Sequence, residues 1–366
     1  MPENIKLTKE QIIFLCFIGV IGNVVYSHTW IDDYADRAAW VASLLGALFT
    51  IPFAVWIFYL GKFYPGNTIF DILERGLGKF LAKFLSILFI FINIAVAVAH
   101  LNMFTQMLNV FFLQFTPVWA TMLLLVFLGV IFSYGGIQSF ARLAEILAVL
   151  GVLNYFAAFV FAFPKFFKIE YVVPIFNMPF AGFLKGTLFI IGAAAECLLI
   201  LMILVRFVPD PAKHCMWVVK GIALSAVVIS SAIFVIIGVM SPELAKGVAF
   251  GGVNAARIIK IGDFLQGLEI FIFASYQIIA VGKVTLSMYC AWTSAKKIYN
   301  KKPLLLLVIT ALMIFIPSVG LSSYNKAYFL AVMLANYVIL PFSVFVLLLA
   351  SISIFRTKSS VRKFKG

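Results

Sequence analysis

Two apolar stretches decide the fold of this chain: QIIFLCFIGVIGNVVY at residues 11–26 and TLFIIGAAAECLLILMILV at residues 187–205. The first contains Gly22 and Asn23 in its interior, and the second contains Gly192 and Glu196. The two stretches lie roughly half a chain apart. Interrupted hydrophobic helices at matching places in two halves of a chain indicate a binding site near the bilayer midplane. We therefore expect two broken membrane helices with a ligand site between them.

Apolar residues dominate the rest of the chain as well. They make up 64% of its 366 residues, whereas charged residues make up 11%. A helix that crosses the hydrocarbon core needs about 20 apolar residues, and we count about ten such runs. They lie near residues 10–29, 38–60, 82–113, 118–133, 140–163, 183–206, 217–240, 263–290, 303–317 and 327–355. Because the runs are continuous rather than alternating in polarity, they predict helices and not a β-barrel.

The positions of lysine and arginine predict the orientation of these spans. With the N-terminus inside, 19 of the 28 lysine and arginine residues fall in inner segments and 8 in outer segments, while Lys283 stays inside a span. An excess of cationic residues marks the cytoplasmic side, so we expect both termini in the cytoplasm. The net charge of +14 reflects this excess of cationic residues on the inner side, which anionic lipid attracts. We therefore expect no nucleic-acid partner.

The predicted fold is a single all-α integral membrane domain over residues 1–366. Its ten transmembrane helices divide into a first repeat at about residues 10–163 and a second at about residues 183–355, followed by a basic tail at residues 356–366. Each half has five spans, and an odd number of spans gives the halves opposite orientations in the membrane. The first and sixth helices carry the breaks.

The first break is predicted at Gly19, Gly22 and Asn23. An unwound segment frees backbone N–H and C=O groups, and the following half-helix offers the positive end of its dipole to a carboxylate. Glycines in membrane helices also serve simply to allow close packing. The second interrupted stretch in the other half favours the binding role.

The second break is predicted around Glu196. An acidic residue in the middle of a span costs about 2.5–3.5 kcal/mol, so it usually faces a cavity or a partner. The small residues Gly192, Ala193 and Ala194 beside it allow close backbone approach. We expect this segment to form the floor of the pocket, with Glu196 pairing with a ligand amine or stabilising the break. The alternative is a protonated glutamic acid that bonds a neighbouring helix.

Lys283 and Glu269 are the predicted charge-coupling residues of the eighth span. The Lys283 ammonium can replace a coupling cation, pair with Glu196 or Glu269, or extend to the inner interface as a snorkelling side chain. Phe273 and Tyr276 lie on the same face of the span as Glu269. They are predicted ligand contacts, although aromatic residues at such positions also serve as packing.

Short motifs recur in a defined order and spacing over nearly the whole length of the chain. These are Ala39-Trp40 with Leu44-Leu45, Tyr64-Pro65-Gly66-Asn67-Thr68 with Leu77-Gly78-Lys79, Thr116-Pro117, Gly135-Gly136-Ile137 with Ala141-Arg142, Val173-Pro174, Glu196 with its apolar run, and Ile261-Gly262-Asp263-Phe264. In the order and spacing of these motifs the chain resembles the B subunits of bacterial spore nutrient germinant receptors, which are the spore germination permeases of the amino acid–polyamine–organocation superfamily.

This resemblance implies a nutrient sensor in the spore inner membrane that acts together with receptor A and C subunits. It also implies ligand contacts near Val96 and Ala193, and His100 shares the helical face of Val96. His100 is therefore a predicted ligand-site residue, with a hydrogen-bonded structural histidine as the alternative. The expected ligand is a small nutrient, an amino acid.

Two other functions remain open from the sequence. One is an amino acid secondary transporter coupled to protons or cations, and the other is a scaffold subunit whose pocket stays empty, because one fold serves both receptor and carrier. The chain has no catalytic constellation, no phosphate-binding loop and no metal-ligand spacing, so we expect neither enzyme activity nor a cofactor.

Overall fold

The computed structural model describes residues 6–23, 31–162, 166–173, 179–258, 269–321 and 323–363, and within these ranges the regular structure is helical. The α-helices are α1 (Lys9–Ile21), α2 (Ala39–Leu48), α3 (Ile51–Gly61), α4 (Ile69–Leu77), α5 (Lys79–Phe111), α6 (Val118–Tyr134), α7 (Gly136–Ala162), α8 (Phe180–Ala194), α9 (Glu196–Leu204), α10 (Pro211–Met240), α11 (Pro242–Lys246), α12 (Gly251–Ile258), α13 (Glu269–Ile298), α14 (Pro303–Leu321), α15 (Tyr324–Met333) and α16 (Leu340–Lys363). A π-helix, Leu334–Ile339, joins α15 to α16.

Local sequence explains where several helices start. Thr8 and Thr68 are N-caps of α1 and α4, and each forms a capping box with the residue three positions later, Gln11 and Asp71. This reciprocal bonding satisfies backbone N–H groups that a helix start leaves open. Gly78, with φ of 90°, ends α4 and allows α5 to begin at once in a new direction.

Seven helical segments are long and apolar enough to cross a membrane among the residues that the structure describes. They correspond to seven of the predicted runs: Ile31–Gly61, Lys79–Phe111, Gly136–Leu153, Phe180–Phe207, Pro211–Met240, Pro303–Leu321 and Tyr324–Thr357. The run near 118–133 forms an apolar helix that is shorter, Val118–Tyr134. The runs near 10–29 and 263–290 each extend beyond the described residues. The exact number of ten spans therefore stays a prediction.

Contacts between loops show which residues share an end of the bundle. The backbone N–H of Leu7 donates to the Phe207 carbonyl at 2.9 Å, and the hydroxyls of Tyr64 and Thr357 lie 2.8 Å apart. Lys297 pairs with Asp71 at the same end. We call this the basic end, because it holds Lys62, Lys79, Lys83, Arg206, Lys213, Lys296, Lys297, Lys301 and Lys302.

The opposite end is tied together by separate contacts. Arg37 donates to the carbonyls of Glu170 and Val173 at 2.9 and 3.0 Å, and Lys246 lies 3.7 Å from Asp36. The N-terminal helix and the last described helix therefore both have their terminal ends at the basic end. This arrangement agrees with an even number of crossings.

The two predicted breaks differ in extent. Helix α1 ends at Ile21 and is followed by a turn at Gly22 and Asn23, while residues 24–30 lie outside the described part of the chain. Helices α8 and α9 are separated only by Ala195, whose backbone stays in the right-handed helical region with φ −63° and ψ −12°. The break predicted around Glu196 is therefore an interruption of the helix assignment at one residue, next to Glu196.

Candidate functional site

Four distant parts of the chain meet around one buried group of polar side chains. We call it the polar cluster, and it consists of Asn23 after α1, His100 of α5, Glu196 at the start of α9, and Lys283 of α13. Each of the four residues is at most 2% exposed. Lys283 lies at the middle of α13, and Glu196 lies near the middle of the span Phe180–Phe207. The cluster therefore occupies the central depth of the helical bundle.

Lys283 and Glu196 form a buried ion pair. The ammonium nitrogen lies 2.5 Å from the Oε2 atom of Glu196, and it also donates to the backbone carbonyl of Gly19. A buried charge is costly unless it is paired and hydrogen-bonded. Of the alternatives for Lys283, the structure shows pairing with Glu196, and it excludes a side chain that snorkels to the interface in this conformation.

Gly22 makes room for the lysine, and Gly19 makes room for α9. A Cβ atom at position 22 would lie 2.9 Å from the Cδ atom of Lys283, closer than carbon atoms normally approach. A Cβ atom at position 19 would lie 3.1 Å from the side chain of Ile200 in α9. The end of α1 can therefore pack directly on both α13 and α9, which explains why this stretch carries two glycines.

Asn23 connects the first helix to the interruption in the sixth span. Its Nδ2 atom donates to the carbonyl of Ala193 at 2.6 Å. That carbonyl lies in the last turn of α8, where a helix end leaves carbonyl groups without a partner further along the chain. The two predicted breaks are thus bonded to each other by a side chain of one and a backbone group of the other.

His100 has more acceptors around it than a neutral ring can satisfy. Its Nδ1 atom lies 2.9 Å from the carbonyl of Val96, and its Nε2 atom lies 3.2 Å from Asn23 Oδ1 and 3.6 Å from Glu196 Oε2. A neutral ring donates through one nitrogen only, so it cannot form hydrogen bonds to all three of these oxygens at once. His100 therefore lies between the Glu196 carboxylate of α9 and the Asn23 amide that follows α1.

Gly192, Ala193 and Ala194 form a tightly packed floor, as expected from their small size. A Cβ atom at position 192 would lie 1.9 Å from the carbonyl oxygen of Ala335, which belongs to the π-helix. Ala193 and Ala194 are buried. Close packing of α8 on the π-helix therefore requires glycine at position 192.

The aromatic pair lies away from the polar cluster. The ring of Phe273 lies against that of Phe112, tilted by 38° with ring centroids 4.0 Å apart, and the Tyr276 hydroxyl lies against Gly252 of α12. Tyr276 precedes Lys283 by seven residues, or about 10 Å of helix. The contacts of these two rings place them at the non-basic side of the cluster. The side chain of Glu269 lies outside the described residues, so its predicted role stays a prediction.

The π-helix is the element that the sequence analysis missed. Its residues, Leu334–Ile339, contain no glycine or charge that would mark them. A signal exists in Pro341, because proline lacks the N–H that would bond the carbonyl of residue 337 in a regular α-helix. Single π-helical turns occur frequently at functional sites.

The polar cluster brings together a cation, an anion, a backbone carbonyl and an imidazole in the buried interior of the bundle. Electrostatic interactions are stronger there than at a surface, since the effective dielectric constant is lower.

Comparison with known proteins identifies relatives along the whole chain. The family described as Spore germination protein matches residues 6–327. Spore germination protein YndE of Bacillus subtilis (strain 168) is 23% identical over 359 residues, which cover 96% of this chain and 98% of YndE. Spore germination protein B2 of the same organism is 22% identical over 274 residues, with 73% of each chain covered.

Among solved structures, MhsT in complex with L-phenylalanine has the same fold. Its TM-score is 0.68 at 14% sequence identity, and the superposition covers 97% of this chain and 92% of MhsT. The likeness at this identity concerns the fold alone. The family match covers far more than half of the residues, and relatives with the same description align along the chain. The chain therefore belongs to the spore germination protein family.

Proposed function

We propose that this protein is the B subunit of a spore nutrient germinant receptor, and that it binds an amino acid where the first and sixth spans meet. One observation carries the proposal: the Lys283–Glu196 ion pair lies between α1, α9 and α13, with the Gly19 carbonyl bonded to the ammonium. Membrane helices rarely contain ionisable residues unless these have a function.

The ion pair matches the charges of a free amino acid. The ligand carboxylate would pair with the Lys283 ammonium, and the ligand ammonium group would pair with the Glu196 carboxylate and donate to the Gly19 carbonyl. A zwitterion thus replaces one ion pair by two without leaving a charge unpaired. A ligand with a single charge would break the pair and leave the other partner buried alone, which costs about 3–5 kcal/mol.

Binding becomes a signal through the helices that the cluster connects. Asn23 ties α1 to α8, and the Lys283–Glu196 pair ties α13 to α9. A ligand that exchanges these bonds shifts the equilibrium between two arrangements by its difference in affinity for them. In the proposed receptor this change passes to A and C subunits in the spore inner membrane.

The same proposal includes the architecture of ten spans in two inverted sets of five. It is supported by the seven long apolar helices, and by the location of both described chain ends at the basic end. An excess of cationic residues marks the cytoplasmic face, so both termini are proposed to be cytoplasmic.

Ligand-induced thermal stabilisation of the purified protein tests the proposal against the twenty amino acids. The Ala193→Phe variant should lose the shift, because a ring at this buried position leaves a ligand no room beside Glu196. Ala181→Phe, at an exposed position of the same helix, is the matched control and should keep it. The assignment fails if no amino acid gives a shift, or if Ala193→Phe responds like the native protein.

An amino acid secondary transporter is the second candidate. It is favoured by the fold, which is that of MhsT, a protein solved in complex with the amino acid L-phenylalanine. Uptake of the stabilising amino acid into proteoliposomes, driven by a proton or sodium gradient, distinguishes the two. Sustained coupled uptake would replace the receptor assignment, whereas binding without uptake would support it.

A further inference from the structure

A cavity of about 160 Å³ opens at the basic end, far from the polar cluster. It lies between α4, the first two turns of α5 and the last turn of α13. Its lining includes Glu74, Lys79, Lys83, Ser86 and Lys297. Three lysines against one glutamate give this lining a positive charge. It therefore favours an anionic ligand.

The three lysines have different roles in the cavity. Lys297 is held by two acids of α4, with its nitrogen 2.6 Å from Asp71 and 3.4 Å from Glu74. Lys79 and Lys83 are exposed, lie one helical turn apart, and form no ion pair within the described part of the chain. Their ammonium groups are available to a ligand, whereas Lys297 closes one side of the cavity.

The start of α5 adds a second source of positive potential. This helix has 33 residues and begins at Lys79, and its N-cap residue Gly78 supplies no side-chain hydrogen bond. A Cβ atom at position 78 would meet no atom within 4 Å, so the space around the cap is open. Free N–H groups at a helix N-terminus bind phosphate, and the helix dipole strengthens that binding.

The outer face of α5 beside the cavity is apolar. Phe80 is 89% exposed and Phe84 is 50% exposed, and Ile87 continues this face one turn further. In a membrane-spanning chain, large exposed apolar residues of this kind face the acyl chains. Lysines at the headgroup level next to such a face are typical of a site for an anionic lipid.

We propose that this cavity binds the phosphate group of an anionic phospholipid, with Lys79, Lys83 and the α5 N-terminus on the phosphate and the acyl chains along Phe84 and Ile87. The bound headgroup would hold α4 against α5 and α13. These last two helices carry His100 and Lys283, so the lipid would stabilise the frame around the polar cluster. The lipid site does not depend on which ligand the cluster binds.

Binding of a short-chain phosphatidylglycerol to the detergent-solubilised protein tests this site, with thermal stability and native mass spectrometry as readouts. Lys79→Gln/Lys83→Gln should weaken binding about thirtyfold, since each lysine near an anionic lipid contributes roughly a fivefold factor. Lys301→Gln/Lys302→Gln removes the same charge at the same end of the bundle but outside the cavity. This control should change binding by less than about threefold.

Each other outcome overturns the proposal. Equal loss in both double variants would mean general surface attraction instead of a site. Native binding by the Lys79→Gln/Lys83→Gln variant would exclude these lysines. Inorganic phosphate at the same concentration is a separate arm, and an equal shift from phosphate alone would make free phosphate the ligand. If the double variant does not fold, Lys83→Glu takes its place and should abolish the shift from phosphatidylglycerol.

Discussion

Helix α13 carries two lysine–carboxylate pairs that differ in almost everything except their chemistry. In the polar cluster, Lys283 lies 2.5 Å from Glu196, and neither residue is more than 2% exposed. At the basic end, Lys297 lies 2.6 Å from Asp71, and the two side chains are 33% and 27% exposed. The distances are nearly equal. Burial, and not contact distance, therefore determines what each pair contributes.

The difference has a direct energetic meaning. When one partner of the partly exposed pair is lost, water reaches and solvates the remaining charge, and pairs in contact with solvent contribute about 0–1 kcal/mol. When one partner of the buried pair is lost, the remaining charge stays in the bundle without compensation, at a cost of about 3–5 kcal/mol. The Lys283–Glu196 pair therefore fixes the helices that carry it, whereas the Lys297–Asp71 pair can open at a small cost in free energy.

The largest expected effect comes from breaking the buried pair. Glu196→Gln and Lys283→Met should each lower the stability by about 3–5 kcal/mol, whereas the double variant should recover much of the loss, because no unpaired charge remains. Thermal unfolding of the three variants in detergent measures this. The double variant should fold but no longer respond to amino acids. If the double variant loses as much unfolding free energy as the two single variants together, the two residues do not act as a pair.

A smaller effect is expected at the floor of the cluster. Gly192→Ala should lower the stability by about 1–3 kcal/mol, since the new methyl group forces α8 away from the Ala335 carbonyl. Gly151→Ala is the matched control in another helix, where a Cβ atom meets nothing within 4 Å. The control should be neutral or slightly stabilising. A Gly192→Ala protein as stable as this control would contradict the close approach.

The Lys297–Asp71 pair should make the stability of the protein depend on pH. Burial raises the pKa of Asp71, but hydrogen bonds from Lys297 and Thr68 lower it by more, so the pKa lies below its usual range. A depressed pKa means that the unfolded state binds more protons, so the stabilisation is present above the unfolded value of about 3.9 and is lost as the pH falls through the folded value.

Asp71→Asn should therefore reduce the loss of thermal stability on acidification through this range, and should lower the stability at neutral pH by about 1 kcal/mol through the weakened cap of α4. Asp210→Asn is the matched control, because Asp210 is exposed at the same end and caps no helix with its side chain. If both variants show the same acid profile, the Asp71 contacts do not set it.

The smallest effect is expected for Lys297→Met, measured without anionic lipid. Its loss should be about 1 kcal/mol or less, because water solvates Asp71 and Glu74 after the change. Measured beside Lys283→Met, it compares the two pairs on one helix directly. Equal losses for the two lysines would mean that burial does not distinguish the pairs, and would remove the main argument for the polar cluster.

The sequence predicted the members of the polar cluster better than their arrangement. Glu196 and Lys283 attract notice because charges are costly inside apolar runs, and Gly22 and Asn23 because they interrupt one. The bond from Asn23 to the Ala193 carbonyl has no sequence signal, since it joins residues 170 positions apart. The interruption predicted around Glu196 is limited to Ala195, and the sequence gives no sign of how short it is.

By itself, the sequence determined that the protein is a helical membrane protein, because only long apolar helices satisfy their backbone in lipid. It also determined which end of the spans is basic, and which costly residues lie within them. Only the tertiary structure decided that Lys283 pairs with Glu196 instead of extending to the membrane interface. It also decided that Phe273 and Tyr276 pack away from the polar cluster, and that Gly192 contacts a π-helix. These are facts about packing between distant segments. Periodicity and composition report on each helix alone, whereas partners are chosen only when the helices assemble.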